Sequence, residues 1–145
     1  MAQYYWQGEF AVRPTVVLLS PTSDHQELVA RLRGVGSYAE GAIFDHLDWR
    51  ECRFGVDVSG DVIDEFDEEE IVEIHEELGE FKAVLVEYSD MACIRELLVE
   101  VIPGIRGVLD TNHGELLGYD TVLERFYRDP SWDWRTSNDG VTAGG

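Results

Sequence analysis

TVVLLSPTSDHQELVARLRG, residues 15–34, sets the pattern from which the rest of the chain is read. Thr15 to Leu19 is an unbroken β-branched and apolar run, the composition of a buried strand, and Ser20 and Pro21 end it. Ser23, followed three residues later by Gln26, has the spacing of a capping box. Leu28, Val29 and Leu32 then recur at helical intervals until Gly34 and Gly36 stop the helix. A first β–α unit follows.

Working toward the carboxyl end, two further strands are expected, Ala42 to His46 and Cys52 to Val58, separated by the turn-rich Leu47 to Glu51. The second alternates Cys52, Phe54, Val56 and Val58 with Arg53, Gly55 and Asp57, as a half-buried strand does. Asp67 is placed to cap a helix from Glu68 to Leu78, with Ile71, Ile74 and Leu78 as its apolar stripe and Gly79 as its stop. Phe81 to Tyr88 reads as a strand. Ser89 or Asp90 opens a helix whose apolar face is Ile94, Leu97, Leu98 and Val101, ended by Pro103 and Gly104. Ile105 to Leu109 returns as a strand, and Thr121 with Glu124 offers a capping box for a short helix to Arg128. Met1 to Phe10 is left unassigned.

The element order β α β β α β α β α predicts an α+β domain: a ferredoxin-like split βαβ sandwich extended by an extra αβ unit, or another two- or three-layer α/β arrangement. A length of 145 residues suits one domain, expected over residues 1–135, with residues 136–145 too small and polar to pack. No run approaches the roughly 18 apolar residues of a membrane span, and Met1 to Phe10 lacks a basic leader followed by an apolar stretch, so a cytoplasmic location is expected. Cys52 and Cys93 have neither a framework nor a zinc spacing, and are expected to be buried, reduced packing residues.

Thirty acidic against eleven basic side chains give a formal charge of −19. That exceeds the magnitude of about 2 to 8 which keeps a small domain soluble. Such a field repels nucleic acid and anionic membranes and speeds encounter with cationic proteins. The charge is concentrated between Asp57 and Glu80, a tract without one Lys or Arg. Like charges at i, i+3 and i+4 weaken a helix, which makes an external use of Glu69, Glu70, Glu73, Glu76 and Glu77 one reading and a plain solvated face the other.

Two further constellations carry chemistry. Asp110, His113 and Glu115 follow a strand, where carboxylate, imidazole and carboxylate could hold a divalent ion or act as an acid–base pair. The alternative is a polar turn in which Asp110 and Asn112 bond backbone amides and Gly114 takes a positive φ. Ser131-Trp132-Asp133-Trp134-Arg135 puts two indoles beside Pro130, either as a binding anchor or as a clasp packed on the core. Phosphate-loop and nucleophile-elbow signatures are missing from the sequence, and no catalytic, cofactor or metal residue is assigned.

In size, acidity, preference for Arg over Lys and its Trp-Asp-Trp close, the chain resembles bacterial immunity proteins, which neutralise toxins by plugging their active clefts. The resemblance implies a non-enzymatic inhibitor, monomeric or homodimeric, whose five glutamates imitate the anionic substrate of a basic toxin domain while Trp132 or Trp134 anchors the contact. The alternatives are a DNA-mimic regulator of a nucleic-acid-binding protein, a metal-dependent hydrolase using Asp110, His113 and Glu115, and a salt-adapted housekeeping domain.

Overall fold

The computed structural model describes residues 13–136. The unassigned segment Met1 to Phe10, and all but Thr136 of the expected tail, lie outside them. Seven strands, β1 (Thr15–Pro21), β2 (Ser37–Ala39), β3 (Asp45–Trp49), β4 (Cys52–Asp57), β5 (Phe81–Glu87), β6 (Val108–Asp110) and β7 (Leu116–Gly118), form one sheet in the order β2-β3-β4-β5-β1-β6-β7. The helices are α1 (Thr22–Gly34), α2 (Glu68–Leu78), α3 (Met91–Val101) and α4 (Tyr119–Arg128), with a 3-10 turn at Asp61–Glu65.

β1 lies between β5 and β6, and its side chains alternate between two cores. Val16 and Leu18 join Val84, Val86 and Leu109 on the face covered by α1, α3 and α4. Val17 and Leu19 join Ala83, Leu85 and Val108 on the face covered by Ile74 and Leu78 of α2 and Val62 of the 3-10 turn. With helices on both faces, β1 and β5 need apolar side chains at successive positions, which is why they read as runs without alternation.

The class is therefore α+β, in three layers. The split βαβ order does not form: it would set the Cys52 strand beside β1 and parallel to it, whereas β4 pairs with β5 and every pairing in the sheet is antiparallel. Strand order depends on which apolar faces meet across long connections. No local periodicity encodes that.

Several element ends also differ from expectation. α1 starts at Thr22 with no side-chain cap, so the Ser23–Gln26 box is not made; Thr22 N instead donates to the carbonyl of Glu80. Thr121 and Glu124 form no box either, because α4 begins at Tyr119 with Gly118 at its cap. Tyr119 is fixed by tertiary contacts: its N–H donates to Gly107 O, and its hydroxyl is 2.8 Å from Ser20 Oγ in the core. A Cβ at Gly107 would fall 2.4 Å from both Leu19 O and the Tyr119 ring, so only glycine fits there. By contrast, Asp67 and Glu70 make the full capping box on α2, and Asp90 caps α3.

The expected strand over Ala42–His46 lies three residues further on. β3 runs through Trp49 and turns at Arg50 and Glu51, both at positive φ, into β4. Turns of this kind ordinarily use Asn or Gly. Here Arg50 is held by stacking on Trp49, 4.5 Å from the ring centroid, and by an ion pair to Glu96 at 3.2 Å.

The reduced-thiol expectation is overturned. Cys52, opening β4, and Cys93, in the first turn of α3, form a disulfide across a sequence separation of 41. Both half-buried residues pack against the larger core.

Candidate functional site

α2 is amphipathic about Ile74 and Leu78, which enter the smaller core. Burial of this stripe turns the rest of the helix outward, so Glu69, Glu70, Glu73, Glu76 and Glu77 are all exposed, with Val72 (55% exposed) among them. Among the described residues, seven arginines pair with carboxylates, and none of those carboxylates belongs to the tract Asp57–Glu80. Arg106 approaches α2 but donates to the backbone carbonyl of Glu77, at the negative end of the helix. Five glutamates are thus exposed on one helix with no ion pair among the described residues, while Glu68–Glu70 complement its positive end and Glu70 Oε1 also accepts from Asp67 N.

Trp132 and Trp134 are 8% and 0% exposed and lie in the core on the α1–α3–α4 side, across the sheet from α2. Trp134 Nε1 donates to Tyr88 Oη at 2.9 Å, and the two indoles pack edge-on with centroids 5.6 Å apart, against Phe126. Asp133 between them accepts two hydrogen bonds from the Arg135 guanidinium and one from the Arg135 N–H, which hold its carboxyl below the usual carboxylate range. The anchor expectation is therefore corrected. These indoles form a clasp that closes the core, and they share no surface with the glutamates.

Asp110, His113 and Glu115 are not brought together. Asp110 faces the α2 side of the sheet, Glu115 pairs with Arg125 of α4 at 3.5 Å, and His113 lies near enough to Asp133 to act on its charge. The segment is the polar turn. Asp110 Oδ1 accepts from Asn112 N, Asn112 and Gly114 take positive φ, and Asn112 Nδ2 donates to Thr15 O and Oγ1 on β1. Among the described residues, no three His, Cys, Asp or Glu side chains are grouped so as to hold a metal ion.

Asp110 instead enters a second feature, a cavity of about 280 Å³ between the sheet and the first turn of α2. Glu65, Glu70, Glu87 and Asp110 reach it from four separate segments, and Phe44, Phe66, Val62, Val17 and Leu85 provide apolar wall. Arg13 also lines it, 3.5 Å from Glu87 and donating to the carbonyl of Arg53. Burial pushes the Glu87 carboxyl up, with Arg13 and His46 opposing. Burial likewise pushes Asp110 up, opposed by the Asn112 amide and reinforced by the negative charge of Glu70.

Sequence reasoning found Glu70 and Asp110 separately and missed their convergence, together with Arg13, Phe44, Glu65, Phe66 and Glu87. One signal was available in Gly55. A glycine inside an alternating strand marks close approach, and a Cβ there would lie 3.0 Å from Glu87 Oε1.

Comparison with protein families, curated proteins and solved structures found no match. No helix among the described residues is long and apolar enough to cross a membrane.

Proposed function

We propose that this protein is an acidic binding module that occupies the basic cleft of a protein partner, with the outer face of α2 as its recognition surface. The observation that carries the reading is the placement of Glu69, Glu70, Glu73, Glu76 and Glu77: exposed on one helix, with arginines spent on ion pairs elsewhere. Crowding like charge at i, i+3 and i+4 costs helix stability, and a cationic partner would relieve it. The same carboxylates raise the encounter rate with that partner, an effect that salt screens over about 8–10 Å. Val72 supplies the exposed apolar contact that Trp132 and Trp134 cannot.

The likeness to immunity proteins points to a toxin domain as the partner, one whose anionic substrate the glutamates imitate, and to a non-enzymatic role. The DNA-mimic reading uses the same face and differs in the partner.

Replacing all five glutamates with glutamine tests the proposal. Gln keeps the capping geometry at position 70, so helix content should hold while association with the captured partner slows by roughly ten- to a hundredfold at low salt. Partner capture from host lysate, washed at rising salt, supplies the ligand for that assay. Unchanged affinity of the five-fold variant removes α2 from the account.

A further inference from the structure

We propose that the cavity between α2 and the sheet binds an ammonium or guanidinium group carried on a short apolar stem. Its walls and its charges each narrow the ligand. Phe44 and Phe66 with Val62 and Leu85 suit a methylene stem, and aromatic faces attract a cation close to them. Glu65, Glu70, Glu87 and Asp110 oppose the single resident cation, Arg13, which is already engaged by Glu87 and the Arg53 carbonyl.

Within the cavity, Asp110 is partly desolvated beside a second negative charge, that of Glu70, with one backbone amide as its compensation. A ligand cation seated between Asp110 and Glu70 offsets both effects, since desolvated carboxylates gain more from a counter-charge than exposed ones. An anionic ligand, a nucleotide included, meets four carboxylates against one arginine. A bare divalent ion needs several converging ligand oxygens, whereas among the described residues no group of three His, Cys, Asp or Glu is arranged for one. The volume of about 280 Å³ lies just below the roughly 300–1,000 Å³ typical of ligand pockets and suits a few-carbon stem with one cationic head. Two sources share this chemistry: a free small amine, and a Lys or Arg side chain of a bound protein. The site shares Glu70 with the recognition face of α2, while Glu65, Glu87 and Asp110 belong to it alone.

The test uses n-butylammonium and n-butylguanidinium, with n-pentanol as a neutral alcohol control of comparable length, titrated into the isotope-labelled full chain and followed by amide chemical shifts. The cations should bind saturably at roughly millimolar affinity, with shifts centred on Thr15, Val17, Phe66, Leu85 and Asn112, and n-pentanol should not. Asp110→Asn should weaken cation binding roughly tenfold, and Arg13→Gln, which removes the resident cation, should strengthen it by a similar factor. That gain cannot arise from a damaged fold. Equal binding of n-pentanol, shifts spread along the outer face of α2, or no gain in Arg13→Gln would each overturn the site. A doubly blocked Ala-Lys-Ala peptide separates the sources: binding as tight as n-butylammonium assigns the site to a protein side chain, and binding by the free amine alone assigns it to a small molecule.

Discussion

Replacing Cys52 and Cys93 together with alanine is expected to lower the stability of the oxidised protein by about 4 kcal/mol. The estimate comes from the unfolded chain: closing a loop across 41 residues removes about 13 cal/mol/K of its entropy, which at 25 °C is about 4 kcal/mol. With an unfolding entropy of roughly 2.1 cal/mol/K per residue over 145 residues, the thermal midpoint should fall by roughly 13 °C. Urea unfolding followed by tryptophan fluorescence, with and without a non-thiol reductant, reads both the midpoint and the slope. The slope should rise on reduction, because an uncrosslinked unfolded chain exposes more surface. Wild-type protein isolated with its thiols reduced should gain the same increment on oxidation in a glutathione buffer. Two titratable thiols persisting after that treatment, or coincident curves for wild type and variant, would refute the reasoning. The outcome also bears on location, since disulfides persist in oxidising compartments and cytosolic thiols are ordinarily kept reduced.

Other expectations follow from the clasp and from the cavity carboxylates. Trp134→Phe removes the donor to Tyr88 Oη and leaves a buried hydroxyl without its partner, so it should cost roughly 1–3 kcal/mol in urea unfolding; association through α2 should be unchanged because the clasp lies across the sheet. Burial first, and Glu70 second, raise the Asp110 pKa above its unfolded value. Its contribution to stability is therefore fully present below the unfolded pKa and lost as pH rises through the folded one. Asp110→Asn should accordingly melt at a higher temperature than wild type at pH 7, with the difference closing as pH falls below the ordinary carboxylate range in a scanning fluorimetry series. A difference that grows toward low pH would show that Asp110 is held ionised by a partner.

Local features of the sequence carried over where one residue decides one geometry. Asp67, placed just before an apolar stripe, caps its helix, and Gly79 ended the helix at φ 75°. Leu28 and Leu32, and likewise Ile94, Leu97, Leu98 and Val101, are buried where the helical period put them. Features set by remote partners did not carry over. β2 has three residues and shows no apolar alternation of its own, and it exists because Tyr38 pairs with Leu47. β7 forms because the Asp110–Glu115 turn folds Leu116 back against Asp110. Cys52 and Cys93 meet because α3 packs against the start of β4, which spacing alone does not reveal. For the site, the acidity of α2 was legible, whereas the cavity needed β1, β5, β6 and the 3-10 turn in place before Glu65, Glu70, Glu87 and Asp110 could be seen to converge.

The sheet separates two kinds of demand on this chain. On the α1–α3–α4 side lie the large aromatic residues Tyr88, Phe126, Trp132 and Trp134, with the disulfide packed against the same core. That side supplies most of the apolar burial. On the α2 side the core is much smaller, and the same layer holds both the unpaired glutamates and the cavity with its desolvated carboxylates. Repulsion among the glutamates, and the partial burial of Glu87 and Asp110, each work against stability and would be eased by a cation. Concentrating them on one face of a sheet that is stapled from the other lets that face keep unfavourable charge without loss of the fold.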